Sequence, residues 1–221
     1  MSSKIIVGAD EAGRGIIIGP MVIGACAIDE NISILLKRES IKDSKKYTSY
    51  RKLKTHSEFI KKKSLTWSVI ILTAEVLNNF NKNGMTMDEA EAYAFFRAIE
   101  DISKKTKNIS EYQVDNFQAV KKLQSLLSEN NLTKDIKLTV LPRADQKYIA
   151  VSAGSILART RSLEEMEKIK AKYGLIGSGS TNDKTTINWL KNYYQKNQTW
   201  PMSIVRTYWK TIQKIEKEYK K

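Results

Sequence analysis

The chain has one cysteine and one histidine in 221 residues. A lone cysteine, Cys26, excludes a disulfide framework and a cysteine-built zinc site. Within the apolar run "MVIGACAID" it reads as a small buried hydrophobe. A lone histidine, His56, leaves nothing for a Ser-His-Asp triad together with a metal-ligand set. It sits among Lys and Ser on a helix-like stretch and reads as a surface or packing residue. Any chemistry must therefore use oxygen ligands. Only three prolines occur, and there is no Pro-rich linker, internal repeat or low-complexity tract. No run reaches the roughly 18 apolar residues of a membrane span. The start lacks the basic-then-apolar pattern of a signal peptide, so a cytosolic protein is expected, with no membrane partner.

Acids are also scarce. Lys+Arg number 38 against 24 Asp+Glu, a net charge of +14, and such an excess points to a polyanionic partner, nucleic acid first. The bland counterpart is a generally Lys-rich chain, because the lysines are spread along its whole length. A hydrophobic content of 41% is ordinary for a folded domain, and the length suits one large domain or a domain with a small appendage.

The first 29 residues read as two strands, "KIIVGAD" and "MVIGACAID", joined by a Gly-rich turn. "SYRKLKTHSEFIKKK" carries Leu53, Phe59 and Ile60 at helical spacing, and "LTWSVIIL" returns to a strand. "MTMDEAEAYAFFRAIEDI" puts Ala92, Phe95, Phe96, Ile99 and Ile102 on one helical face. "EYQVDNF" is a short strand, "AVKKLQSLL" a helix and "IKLTVL" another strand. From Ser152 the chain reads as nearly all helix, with Val205, Tyr208, Trp209, Ile212, Ile215 and Tyr219 spaced by three or four in the last one. A meander followed by alternating strands and helices predicts a mixed α/β sheet flanked by helices. The predicted organisation is a catalytic domain over 1–174 and a C-terminal helical lobe over 175–221.

Four acids fall at strand ends or strand-to-helix turns: Asp10 and Glu11 in "VGADEAGRGIIIGP", Asp115 in "VDNF" and Asp145 in "LPRADQKY". Asp115 lies in an otherwise apolar strand pattern, where an unpaired charge would cost several kcal/mol. Asp145 could equally serve a helix N-terminus, and Asp10 and Glu11 a plain turn. Taken together, the four suggest convergence on a hard divalent cation. Two such ions about 3.5–4 Å apart can activate a water and steady the departing oxygen of a phosphodiester. Gly13 and Gly15 would let main chain approach a sugar–phosphate without a Cβ in the way. No Walker Lys-Ser/Thr follows, so this is no P-loop.

These segments resemble a known family, the type 2 ribonucleases H (ribonuclease HII). "GADEAGRG…GP" is similar to the family's first motif, "KDSKKY" (42–47) to its Asp-Ser-Lys motif, and "VDNF" to the site of its third acid. "RADQKYIAVSAGSILART" (143–160) resembles its fourth-acid segment, in the Tyr148 form of the archaeal and eukaryotic branch, and "IVRTYWKT" (204–211) its closing helix. The resemblance implies an RNase H fold. It further implies endonucleolytic hydrolysis of the RNA strand of RNA–DNA hybrids, leaving 3′-hydroxyl and 5′-phosphate ends. Asp10, Glu11, Asp115 and Asp145 would be the catalytic, metal-binding acids for Mg²⁺ or Mn²⁺, with two metals. Gly13, Arg14 and Gly15 would contact the ribose 2′-hydroxyl, which an enzyme must read to tell RNA from DNA, and Lys45 would meet a backbone phosphate. The chain departs from the family at Ile16 (usually Pro), at Gly154 (usually Ala) and in "GSGSTND" (177–183). There Ser180 stands where the family has a Tyr that stacks on the deoxyribose at the RNA–DNA junction. A hydroxymethyl has no stacking face, a contact worth about 1–3 kcal/mol by analogy with base–aromatic stacking, so junction and single-ribonucleotide selectivity is expected to be weakened. The resemblance implies a monomer, and the C-terminal "IQKIEKEYKK" shows no clean sliding-clamp peptide, although a degenerate one there leaves a sliding-clamp contact open. The competing readings are a non-catalytic basic nucleic-acid-binding protein and another nuclease of the same fold, such as a junction resolvase; the Gly-Arg-Gly turn disfavours the latter.

Overall fold

The computed structural model describes residues 4–133 and 136–219; the last two residues of "IQKIEKEYKK" lie outside these. Five strands, β1 (Ile5–Ala12), β2 (Met21–Ile28), β3 (Thr66–Leu72), β4 (Ile109–Asp115) and β5 (Lys137–Leu141), form one mixed sheet in the order β3-β2-β1-β4-β5. β1 runs antiparallel to β2 and parallel to β4, which is parallel to β5. All eight residues of β2 are buried, which is why it reads as a continuous apolar run rather than an alternating one.

Among the described residues there are eight α-helices: α1 (Glu30–Arg38), α2 (Tyr50–Lys63), α3 (Ala74–Lys82), α4 (Met87–Lys105), α5 (Val120–Glu129), α6 (Ile149–Tyr173), α7 (Lys184–Asn197) and α8 (Lys210–Tyr219). Several start on side-chain caps: Asp29 accepts from Ile32 N, Ser49 from Lys52 N, Thr73 from Val76 N and Asp183 from Thr185 N, each satisfying an orphan amide of the first turn. The face of α4 read from the sequence is the buried one. Helices α1 and α3 had no counterpart in the sequence reading.

The last helix begins later than its apolar spacing suggested. It starts at Lys210, because Val205 is instead bridged to Ile18, and the backbone N–H groups of Gly19 and Arg206 bond Ile204 O and Ile17 O. Backbone groups engaged sideways in this way are not available to a helix ladder.

The chain divides into two compact units. The first comprises residues 1–12, 22–70 and 88–161 and contains the core of the sheet. The second comprises 13–21, 71–87 and 162–221, so all of residues 175–221 belong to it. In the first unit, α6 packs directly on the sheet through glycines. A Cβ on Gly8 would overlap the Ala150 backbone, and one on Gly24 would overlap the Gly154 carbonyl. A Cβ on Gly154 would stand 2.7 Å from Gly24 O. In the second unit, Ile17, Ile18, Leu190, Tyr194, Trp200 and Ile212 belong to one buried cluster. The aromatics of α7 serve this packing: Trp189 stacks on Tyr193 at 4.9 Å and Tyr194 on Trp200 at 4.7 Å.

Candidate active site

Parallel pairing of β1 with β4 aligns Ala9 with Val114. Asp10 and Asp115 are thus the next residues on adjacent strands, about 4.8 Å apart in the sheet and projecting to the same face. That face is the one covered by α6, because Gly8, two residues back, lies against Ala150 and Val151. Asp145 sits in a short 3₁₀ turn (Ala144–Gln146) between β5 and α6. Asp115 Oδ1 joins this turn to the end of β4, accepting from Ala144 N at 3.1 Å and Asn116 N at 2.9 Å. Asp145 is therefore not a helix cap. Its backbone carbonyl accepts from the Ser152 hydroxyl, and its side chain is buried.

The electrostatics of the first unit show crowded negative charge. Burial, then the neighbouring Glu11 carboxylate, pushes Asp10 well above the usual carboxylate range; a Ser155 hydrogen bond opposes the shift. Asp145 is pushed from 3.8 to about 6 by burial and then by Asp43, with Asp115 adding to the shift and Lys45 opposing it. Asp145 Oδ2 is buried and has no hydrogen-bond partner among the described residues. Buried carboxylates that repel one another and leave an oxygen unpaired fit a bound cation. Among the described residues, no three His, Cys, Asp or Glu side chains already form a closed metal-holding cluster. The acids stand as neighbouring pairs, Asp10–Glu11 and Asp43–Asp145. All-oxygen donors of this kind suit Mg²⁺ or Mn²⁺.

Lys45 lies in the 3₁₀ turn Ser44–Lys46, which Asp43 caps through Lys45 N at 2.8 Å. The turn is anchored to α6 by the Ser44–Ser155 hydroxyl pair at 2.8 Å and by Arg159, which donates to Ser44 O at 2.6 Å. Either hydroxyl of that pair can be the donor. A cavity of 160 Å³ containing Asp43 and Asp145 is rimmed by Lys37, Lys42, Lys46 and Lys147, a cationic mouth around anionic groups.

The second unit holds the other candidate residues. Gly13 has φ +78°, and a Cβ there would overlap Pro20 O, so the turn itself demands glycine. Gly15 differs: it is exposed and no atom lies within 4 Å of where its Cβ would be. Arg14 follows Gly13 in the same bend. Ser180 forms an isolated antiparallel bridge with Ile16, next to Gly15 in the chain, and its hydroxyl accepts from Asn182 N at 3.2 Å. His56 is buried, its Nδ1 2.5 Å from the Tyr47 hydroxyl, and burial lowers its pKa, as suits a packing residue. Cys26 is buried and its thiol is pushed up to about 12, so it is inert. Asp43 and Ser155 escaped the sequence reading as site residues, although both lie inside the quoted motifs; their signal was adjacency to Lys45 and to the fourth acid.

A mixed sheet with acids at the ends of adjacent parallel strands, backed by a long helix, defines an RNase H-like nuclease fold. The family model for Ribonuclease HII matches residues 7–212, and the chain belongs to that family, whose members are type 2 ribonucleases H. The chain is 36% identical over 216 residues to ribonuclease HII of Pyrococcus abyssi, covering 98% of this chain and 93% of the relative. The solved ribonuclease H2 of Pyrococcus horikoshii OT3 superposes with a TM-score of 0.86 at 32% identity, covering 98% of this chain and 99% of that one. Bst-RNase HIII in complex with Mn²⁺ shares the fold at a TM-score of 0.83 and 21% identity, covering 99% of this chain and 71% of that one.

Proposed function

We propose that this ribonuclease H hydrolyses the RNA strand of RNA–DNA hybrids with divalent cations held by Asp10, Glu11, Asp115 and Asp145, leaving 3′-hydroxyl and 5′-phosphate ends. The observation that carries the reading is the register that sets Asp10 and Asp115 at neighbouring positions of adjacent parallel strands, with Asp115 Oδ1 accepting from Ala144 N in the turn that carries buried Asp145. Mg²⁺ or Mn²⁺ bound there supplies charge compensation and activation of water for phosphodiester cleavage; Mn²⁺ is also the ion named with the related RNase HIII. The chain's own groups do the rest. Lys45, held by Asp43 and by the serine pair, meets a backbone phosphate, and the rim lysines draw the polyanion in. The Gly13–Arg14–Gly15 turn reads the ribose 2′-hydroxyl with main-chain groups, and exposed Gly15 leaves room for that approach. Ser180 holds the backbone position next to the turn but offers no ring to stack on a sugar, so incision at a single embedded ribonucleotide is weakened relative to a continuous RNA strand.

The test is a cleavage map with Mg²⁺ or Mn²⁺ on a hybrid, on a duplex with one ribonucleotide and on double-stranded RNA, for the wild type and Asp115→Asn. Hybrid cleavage should fall at least about a hundredfold in the variant, and the wild type should favour continuous RNA. Unchanged cleavage in Asp115→Asn refutes the assigned acids. Salt-sensitive hybrid binding without turnover would identify a binding protein instead.

A further inference from the structure

Arg206 is the largest fully buried side chain described, at 0% exposure, and no carboxylate pairs with it among the described residues. Its guanidinium donates to three backbone carbonyls of the second unit: Nη2 to Gly13 O at 2.6 Å, Nη1 to Arg14 O at 2.7 Å and Nε to Gly19 O at 3.2 Å. Burial depresses its pKa to about 10, which still leaves it charged at neutral pH. The Trp209 ring lies 5.8 Å from Cζ. A buried cation satisfied only by neutral carbonyls is costly as a packing device, since an apolar side chain would fill the space without the desolvation penalty. The fork spacing of a guanidinium, however, fixes two successive carbonyls at once, which neither Lys nor an apolar residue can do.

Those two carbonyls belong to the peptide units Gly13–Arg14 and Arg14–Gly15. In a trans peptide the C=O and N–H point in opposite directions. Pulling Gly13 O and Arg14 O onto Arg206 therefore turns the N–H groups of Arg14 and Gly15 to the opposite side. Successive amides held in one direction form a concave donor site for an oxygen ligand. We infer that Arg206 is a positioning residue for ribose recognition, its guanidinium presetting the Arg14 and Gly15 amides toward the RNA sugar.

This rests on the reading that the turn contacts the 2′-hydroxyl, and the experiment separates the two. Binding of an RNA–DNA hybrid and of a DNA duplex of the same sequence is measured on the full chain without divalent cation, for the wild type, Arg206→Lys, Trp209→Leu and Asn78→Ala. Asn78 holds the same segment from elsewhere, donating to Met202 O and Val205 O and accepting from Thr207 N, and does not touch Gly13 or Arg14. Asn78→Ala should lower Tm yet keep the hybrid-over-DNA preference. Arg206→Lys should cut that preference about tenfold, the value of a lost charge-assisted hydrogen bond, and Trp209→Leu about threefold, by loosening the guanidinium. If Arg206→Lys does not fold, Trp209→Leu decides. Retained preference in the Arg206 and Trp209 variants, or equal loss in Asn78→Ala, overturns the assignment. A wild type with no preference overturns the reading of the turn and this inference with it, whereas a wild-type preference that survives both substitutions overturns the role of Arg206 alone.

Discussion

Gly13 and Gly15 stand two residues apart and are glycines for different reasons. At Gly13 the reason is internal: a left-handed φ and the Pro20 carbonyl leave no room for a Cβ. At Gly15 no neighbouring atom accounts for the missing side chain, which is the room that the proposed approach to the sugar needs. Gly15→Ala should accordingly leave Tm within about a degree, as exposed substitutions usually do, while hybrid cleavage drops at least about tenfold through loss of close approach. A comparable fall in Tm would show that the glycine serves the fold. Asp145 makes a second residue-scale prediction. Its carboxyl titrates near 6 in the folded chain against an ordinary 3.8. Below 3.8 it is neutral whether folded or unfolded. Between 3.8 and about 6 the unfolded chain ionises first, so stability is lost as pH rises through this window. The raised pKa of Asp10 acts in the same direction. In chelator, the Tm of the wild type relative to Asp145→Asn should fall by about 2–4 °C between pH 4 and pH 7. Adding Mg²⁺ or Mn²⁺ at pH 7 should restore it in the wild type only. A Tm difference that does not vary with pH would remove the electrostatic argument for a cation.

At the scale of elements, the seam between α6 and strands β1 and β2 is made of absent side chains. Gly8, Gly24 and Gly154 come from three distant places in the sequence, and each is near enough to facing backbone that a Cβ would collide. Gly154→Ala would ordinarily stabilise a helix interior, but its Cβ would stand 2.7 Å from Gly24 O. Gly24→Ala has no propensity gain to offset the clash and should cost about 1–3 kcal/mol, as overpacking does, measured by urea unfolding. A neutral result would mean that the helix slides freely on the sheet. This seam also marks how far the sequence could be read. Strands β1, β2 and β3 and helix α4 were legible because apolar runs and helical spacing are local signals, which the four acids interrupt. The adjacency of Asp10 and Asp115 was not, since it depends on the parallel register of strands a hundred residues apart. The start of α8 was misread because Val205 and Arg206 keep helical spacing while their backbone is engaged by residues 17–19. Arg206 gave no sign of burial, because a cation beside apolar residues on a helix ordinarily faces water.

For the molecule as a whole, the question is whether the net charge of +14 acts diffusely or at a place. Some of the lysines are already paired along helices: Lys61 with Glu58, Lys104 with Glu100, Lys168 with Glu165 and Lys170 with Glu167, at 2.8–3.0 Å. Such exposed pairs add little to stability, but they offset charge locally and contribute weakly to a long-range field. By contrast, Lys37, Lys42, Lys46 and Lys147 rim the cavity that holds Asp43 and Asp145. If these lysines and Lys45 take up the phosphates, hybrid affinity should fall with salt along a log–log slope of about −3 to −5, near −0.9 for each phosphate neutralised. Lys45→Ala should then make the slope shallower by about one, and Lys104→Ala should leave it unchanged. Both slopes can be measured by fluorescence anisotropy across a salt series without divalent cation. Equal changes in the two variants would mean that the positive charge works as a diffuse cloud, and the rim would lose its claim to be where the nucleic acid docks.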